Sequence, residues 1–137
     1  MPPTLMQGGL IAAVLTLTFL TGCRSEPAPP SKPYLSKTGF QAVSLTLPGE
    51  PQATYVLLDA WVESPDHITT ISRRDGPSGV SYTRRRVDCK RSRLLTLGSG
   101  ETVEAMMLER PDPHDSEMVG GSSATLASVT ACSKLGR

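Results

Sequence analysis

Large aromatic side chains are scarce in this sequence of 137 residues, which contains two Phe, three Tyr and one Trp. A core with so few rings is modest, and a modest core often needs a covalent link for stability. An excess of charge of one sign is also lacking, because 14 Lys and Arg stand against 13 Asp and Glu. This balance argues against a whole-chain attraction to nucleic acid or to an anionic membrane.

No apolar run is long enough to cross a bilayer as a helix, which takes roughly 20 residues. The candidate run, residues 10–20, reads LIAAVLTLTFL and has the length of the apolar region of a signal peptide. Lys and Arg are absent from residues 1–9, so only the amino terminus supplies positive charge there. The alternative to a signal peptide is a short N-terminal core helix with a buried free cysteine.

The motifs of common enzyme classes are missing, since the sequence has no phosphate-binding loop, nucleophile elbow or dinucleotide fingerprint. Its two histidines, His67 and His114, belong to no convergent acid–base constellation, so we expect neither catalysis nor a cofactor. The cysteines and histidines lack the paired spacing of a zinc site, so we expect no metal. Asp112 and Asp115 beside His114 indicate a polar loop rather than a metal site.

The tetrapeptide Leu20-Thr21-Gly22-Cys23 resembles the lipobox of bacterial lipoproteins, which is cleaved just before its cysteine. The resemblance implies that residues 1–22 are a lipoprotein signal peptide. It also implies that Cys23 carries a diacylglycerol on its thiol and a further acyl chain on its new amino group. Each buried methylene is worth roughly 0.8 kcal/mol, so several chains together anchor a protein stably in a membrane.

The residues after Cys23 are typical of a tether. Residues 24–37 contain four prolines, which exclude a helix and favour an extended chain. The residue after the cysteine is Arg24 and not Asp, which in lipoproteins of Gram-negative bacteria implies transport to the outer membrane. We therefore expect a lipid-anchored protein of the cell envelope, with residues 23–41 as anchor and proline-rich linker and residues 42–137 as one small domain.

Two further cysteines, Cys89 and Cys132, lie 43 positions apart (132 minus 89). An even pair in an oxidising compartment indicates a disulfide. Closing a loop of that size stabilises a fold by roughly 4 kcal/mol in the chain-entropy description. The alternative is two unpaired thiols.

Alternating side chains predict the first strands of the domain. Residues 54–62 show the clearest pattern, with Val56, Leu58, Ala60 and Val62 on an apolar face. Together with turn signals, the patterns predict five strands over residues 42–47, 54–62, 67–74, 80–89 and 93–97. Short connections favour an antiparallel meander. Trp61, on the mixed face, is either a core residue or an exposed anchor for a partner.

The period then changes to that of helices. Residues 102–109 predict a short helix with Met106 and Met107 in the core, and residues 110–121 a loop. Residues 122–133 predict a C-terminal helix that begins at Ser122 or Ser123. Its apolar stripe is Leu126, Val129 and Cys132, and its small residues would let it lie close to a sheet. The expected fold is α+β, with the helix on the sheet and a Cys89–Cys132 bridge between them.

The strand that ends in Val87-Asp88-Cys89, the leucine strand after it and the terminal small-residue helix resemble the surface-adhesin protein E family. The similarity covers roughly residues 53–133. It implies an antiparallel sheet with a C-terminal helix tied to it by a disulfide, behind a lipoprotein anchor. Some members bind host extracellular matrix or serum proteins, so the resemblance implies an adhesin-like binding or structural role.

Eight of the 14 basic residues cluster in the middle of the sequence: Arg73, Arg74, Arg84, Arg85, Arg86, Lys90, Arg91 and Arg93. In two hairpins they would gather into a patch for lipopolysaccharide phosphates, sulfated glycans, or an acidic host or envelope protein. The alternative is solvated charge that prevents sheets from pairing edge to edge. Nucleic acid is not an expected partner outside the cytoplasm. A periplasmic inhibitor of the lysozyme-inhibitor type and a surface-exclusion lipoprotein remain alternative functions.

Overall fold

A six-stranded antiparallel sheet with its strands in sequence order forms the centre of the structure, a computed structural model that describes residues 32–137. The predicted signal peptide over 1–22, the lipidation site Cys23 and the linker up to residue 31 lie outside the described residues. The elements in chain order are β1 (Val43–Leu45), β2 (Thr54–Val62), β3 (Ile68–Gly76), β4 (Gly79–Asp88), β5 (Arg93–Gly100), α1 (Val103–Met107), β6 (Ser116–Glu117) and α2 (Ser123–Lys134).

The predicted α+β meander is confirmed, and its tight turns have local causes. Gly79 begins β4 with a φ of 107°, a conformation that suits glycine because it has no Cβ. In the β4–β5 turn, the backbone N–H of Arg91 donates to Asp88 Oδ1 over 2.9 Å. Such a side chain-to-backbone hydrogen bond stabilises a turn in the same way as a hydrogen bond between two backbone groups.

The sixth strand was not predicted, because residues 110–121 read as a loop. Arg110 and Asp112 donate their backbone N–H groups to the carbonyl oxygens of Leu97 and Thr96, both over 2.9 Å. β6 then pairs with β5 for two residues. The polar loop therefore covers the outer edge of β5, which would otherwise present unpaired backbone groups.

A β-bulge at Leu58 makes the predicted faces of β2 wrong. Leu57 pairs with Ser72 and Asp59 with Ile71, so Leu58 has no cross-strand partner. One extra residue switches all later side chains to the other face. Leu57 consequently joins Ala60 in one core cluster, and Leu58 joins Trp61 in the other.

The first core cluster lies between the sheet and α2, which packs on β2 and β3. Ser122 caps the helix, because its Oγ accepts the N–H of Thr125 over 3.1 Å. The large side chains Leu57, Ile68 and Val87 are at most 2% exposed in this cluster. Full burial of such a side chain stabilises a fold by roughly 1.5–3 kcal/mol.

The face that α2 turns to the sheet differs from the predicted stripe. Its buried residues are Ala127, Ser128, Ala131 and Cys132, whereas Val129 is 53% exposed. Small side chains let the helix axis lie close to the sheet. The size of the side chains, and not their hydrophobicity alone, therefore decides which face of α2 is buried. Ser128 keeps its hydroxyl satisfied by donating to the carbonyl of Ala124 over 2.8 Å.

The second core cluster lies on the opposite face, where α1 packs on β4 and β5. Ile71, Tyr82 and Met106 form its buried centre, and Trp61 packs against it as a partly buried side chain. Met106 fills the core as predicted, but Met107 is 43% exposed because it lies on the outer side of the short helix.

The Cys89–Cys132 disulfide joins the end of β4 to α2 over a Cα–Cα distance of 5.9 Å. It confirms the predicted bridge and links the two ends of a segment of 43 positions. The helix therefore cannot leave the sheet without breaking a covalent bond.

We expect the double substitution Cys89→Ala/Cys132→Ala to lower the free energy of unfolding by about 2–4 kcal/mol, because the unfolded chain gains the entropy of an open loop. Urea denaturation followed by circular dichroism measures this change. Val129→Ala, on the exposed side of the same helix, is the matched control and should change stability by less than about 0.5 kcal/mol. Equal effects of the two variants would contradict a stabilising role of the bridge.

Gly98 in β5 lies beneath α1. A Cβ at this position would lie 2.7 Å from the carbonyl oxygen of Leu108 and closer still to that of Met106. Both are backbone atoms, so relief requires α1 to move away from the sheet.

Gly98→Ala should therefore destabilise the fold by about 1–3 kcal/mol, the usual cost of overpacking. Thermal denaturation of the variant tests this. Gly120→Ala is the control, because a Cβ there meets nothing within 4 Å. An unchanged midpoint for Gly98→Ala would show that α1 does not pack as described.

Candidate functional site

The sheet divides the eight basic residues that were predicted to form one patch. Neighbouring residues of a strand point to opposite faces, and the β3–β4 register fixes which face each residue takes. The face that carries α2 holds Arg74 and Arg85, the opposite face holds Arg73, Arg84 and Arg86, and the β4–β5 turn region holds Lys90, Arg91 and Arg93. A single basic surface is thus not formed.

Carboxylates neutralise six of these eight cations. In the part of the chain that the structure describes, their ion pairs span 2.8–3.9 Å: Arg73–Asp75, Arg74–Glu50, Arg86–Glu63, Lys90–Asp66, Arg91–Asp88, and Arg93 with Asp115 and Glu117. Exposed pairs of this kind contribute about 0–1 kcal/mol each. Their main effect here is to reduce the free positive charge of the segment.

The strongest of these pairs shift the protonation of their carboxylates. Arg86 donates two hydrogen bonds of 3.2 Å to Glu63, and these bonds lower the pKa of the Glu63 carboxyl. Arg93 donates over 2.8 Å to Asp115 and lowers the pKa of that carboxyl in the same way. Both carboxyl groups therefore stay ionised at a lower pH than an unperturbed Glu or Asp side chain does, and their ion pairs with arginine persist to that lower pH.

Arg84 and Arg85 have no carboxylate within ion-pair distance among the described residues. Both are partly buried, and the Nε atom of each is inaccessible to solvent without a hydrogen-bond acceptor in the described chain. They differ in position, because Arg84 lies on the α1 face opposite Ile71 and Arg85 lies on the α2 face opposite Thr70.

Arg85 lines a cleft of about 150 Å³ between the sheet and the beginning of α2. One guanidinium nitrogen, Nη1, donates to Ser72 Oγ over 3.3 Å. The hydroxyl-bearing side chains around it come from four elements, and they are Tyr55 of β2, Ser72 of β3, Ser81 and Thr83 of β4, and Ser123 of α2. Ala127 of α2 forms an apolar wall.

Burial lowers the pKa of the Arg85 guanidinium, while the charge of Asp112 acts in the opposite direction. The cation is thus held where water solvates it poorly, and among the described residues Asp112 and the other carboxylates lie beyond ion-pair distance. Arg74 also reaches the cleft, but its Nε donates to the Tyr55 hydroxyl over 3.0 Å and its charge faces Glu50.

A second cleft, of about 280 Å³, lies at the β4–β5 turn and has mixed charge. Its basic and acidic lining residues are Arg86, Arg91, Arg93, Asp88, Asp112 and Asp115. Because most of these groups pair with one another or with Glu63, the cleft offers little net charge to a ligand.

The last part of the predicted linker belongs to the folded domain. Residues 34–40, here called the strap, lie against the sheet through the buried carboxylate of Asp59, which is 0% exposed. Asp59 accepts hydrogen bonds from the Tyr34 hydroxyl over 2.8 Å, from the backbone N–H of Lys37 over 3.2 Å and from the Thr38 hydroxyl. The carboxylate also accepts the N–H of Ala60 over 2.9 Å. These donors satisfy a buried charge that would otherwise be costly.

Burial and the bond to Asp59 raise the pKa of the Tyr34 hydroxyl. A raised value in the folded state means that the neutral phenol is favoured there. The contribution of Tyr34 to strap docking is therefore complete below about pH 10, the ordinary pKa of tyrosine, and is lost as the pH rises through the higher folded value.

Neither the strap nor the cleft was predicted from the sequence. Proline-rich composition correctly indicates the absence of a helix over residues 32–41 but carries no signal for docking. A lone acid within the otherwise apolar and aromatic stretch of β2, Asp59, is the one local hint, because buried carboxylates require donors. The cleft depends on how far α2 extends along the sheet, which no local pattern encodes.

Metal-binding clusters and membrane-spanning helices are both absent from the described residues. No group of three or more metal-binding side chains occurs among residues 32–137, and Asp112, His114 and Asp115 lie in the loop that covers β5. No helix in the same range has the length and apolar character of a membrane span.

No protein-family model, curated protein or solved structure matches the chain.

We expect Asp59→Ala to release the strap, because three strap donors lose their common acceptor. Hydrogen bonds to charged groups contribute roughly 1.5–3 kcal/mol, which corresponds to a roughly tenfold to hundredfold rise in local opening. The rate of trypsin cleavage after Lys37 measures this opening. Asp75→Ala removes a carboxylate that binds Arg73 and not the strap, so it serves as control. Equal cleavage rates in both variants would contradict the proposed docking.

Proposed function

We propose that the protein is a lipoprotein of the bacterial cell envelope, anchored through Cys23, whose folded domain binds a partner and catalyses no reaction. Its place is the outer membrane, and its binding role is adhesin-like.

The distribution of the three cysteines carries the proposal. The Cys89–Cys132 bridge uses two of them. Disulfides form and persist in oxidising compartments and are rare in the cytosol, so the bridge favours an exported protein. The remaining cysteine, Cys23, follows Leu20-Thr21-Gly22, an arrangement typical of lipid attachment in exported bacterial proteins.

The strap supports a tethered domain. It fixes the chain to the sheet at residues 34–40 through Asp59, so only the proline-rich residues between Cys23 and Tyr34 remain as a spacer. Prolines favour an extended conformation of about 3.1 Å per residue, so such a spacer would hold the domain a short distance from the membrane. Arg24 after the lipid-bearing cysteine favours transport to the outer membrane.

The binding role is supported by the resemblance to the surface-adhesin protein E family and by the charge arrangement. The meander, the C-terminal helix and the bridge are the features that this resemblance implies. Because six of the eight clustered cations are paired, a broad electrostatic surface is not the basis of the proposed binding. A defined site with few polar groups fits better.

Intact-mass spectrometry of the native protein tests the anchor and the exported state together. We expect a species that begins at Cys23 and carries added acyl mass. We also expect two thiols that react with an alkylating agent only after reduction. The control is Cys23→Ser, which should abolish the acyl mass and leave the reduction-dependent alkylation unchanged. An unprocessed chain with three reactive thiols would overturn the proposal.

The partner is tested by capture from envelope extracts and host extracellular matrix on the immobilised Cys23→Ser form. Recovery of matrix proteins or glycans supports the adhesin-like role. Recovery of a lysozyme would replace it with an inhibitory function.

A further inference from the structure

We propose that the cleft between β3, β4 and the beginning of α2 binds a phosphate or sulfate group, with Arg85 as its principal cation. This inference deepens the proposed function and rests on its binding role, since it names the chemistry that the domain recognises. It is independent of the lipid anchor.

The choice of Arg85 follows from elimination within the described chain. Of the eight clustered cations, six face carboxylates within 3.9 Å, which leaves Arg84 and Arg85. Of these two, Arg85 lines the cleft beside α2, whereas Arg84 lies on the opposite face of the sheet. The cleft is therefore the place where positive charge and an enclosing surface coincide.

The hydrogen-bonding groups of the cleft suit an acceptor-rich ligand. The Arg85 guanidinium has no carboxylate within ion-pair distance among the described residues, and its Nη1 has only the weak 3.3 Å bond to Ser72. The hydroxyls of Thr83 and Ser123 line the same space and can donate. No carboxylate lines the cleft to compete with an anion.

The size and shape of the site favour a small oxyanion. The cleft, at about 150 Å³, exceeds the roughly 30 Å³ that a water molecule takes in the liquid but is below the roughly 300–1,000 Å³ of pockets for drug-sized molecules. A guanidinium forms paired hydrogen bonds with phosphate or sulfate oxygens. The apolar wall at Ala127 and Leu45 reduces solvation and strengthens such bonds.

The partial burial of Arg85 agrees with this ligand. Desolvation lowers the pKa of the guanidinium, which means that the charged form is penalised in its site. An anion in contact with the guanidinium would offset that penalty by favouring the charged form.

Isothermal titration calorimetry on the full chain in detergent, at low ionic strength, tests the site with sodium phosphate and sodium sulfate as probes. Sodium acetate at matched ionic strength is the comparison, and we expect it to bind at least about tenfold more weakly because a carboxylate offers fewer acceptor oxygens. Amide NMR shifts on adding phosphate should concentrate at Ser72, Thr83, Arg85 and Ser123. Absence of phosphate and sulfate binding at millimolar concentration would overturn the proposal.

Arg85→Gln and Arg84→Gln form a matched pair, because the residues are adjacent, partly buried and both without a carboxylate partner. We expect Arg85→Gln to weaken phosphate binding at least about tenfold and Arg84→Gln to leave it unchanged. Equal weakening by both, in variants that circular dichroism shows to be folded, would contradict the site. If Arg85→Gln does not fold, Ser72→Ala replaces it, and unchanged binding and unchanged amide shifts in that variant would also count against the cleft.

Glucose 1-phosphate distinguishes the sources of the group. Tighter binding than inorganic phosphate would indicate a phosphorylated sugar, and weaker binding a free ion. These outcomes are separate from the test of the anchor, because an unacylated chain that binds phosphate through Arg85 supports the cleft and contradicts only the lipoprotein assignment. An acylated, disulfide-bonded chain that does not bind phosphate supports the lipoprotein assignment and contradicts the cleft.

Discussion

The close contact between the small-residue face of α2 and the sheet is the constraint on which the rest of the structure depends. Ala127 and Ala131 let the helix approach Leu57 and Ile68 closely enough for Cys132 to reach Cys89. With few aromatic residues, the sequence has little other means of building a large core. The bridge compensates by preventing the helix from separating. Because α2 begins at Ser123, its first turn also forms one wall of the Arg85 cleft.

The opposite face of the sheet is closed by different means. There α1 contributes Met106, and the strap contributes Tyr34, which packs against the same core cluster as Trp61 and hydrogen-bonds to Asp59. A buried carboxylate is an expensive way to hold a segment, but it is specific, since only a chain with correctly placed donors can satisfy it. The domain thus receives its N-terminal segment at a defined point, which suits a domain tethered from that end.

The meander and the disulfide were predictable because they follow from local alternation, short turns and cysteine number. The bulge at Leu58 was not, since alternation around it is as regular in the sequence as in an unbulged strand. The pairing of six cations with carboxylates could not be predicted either. Partners such as Arg86 and Glu63 are 23 positions apart in the sequence and meet only because of the register of the sheet. For the same reason, charge clustering indicated the segment that contains Arg85 but could not show that Arg85 stays without a carboxylate partner.

Hydrogen exchange of the α2 amides before and after reduction tests the central role of the helix–sheet contact most directly. The account predicts that the amides of Ala127–Cys132 exchange as slowly as those of β3 and β4 while the Cys89–Cys132 bridge is intact. After reduction they should exchange faster than the strand amides, because the helix then opens without the sheet. Unchanged protection of α2 after reduction would show that the contact does not depend on the bridge and would contradict the account.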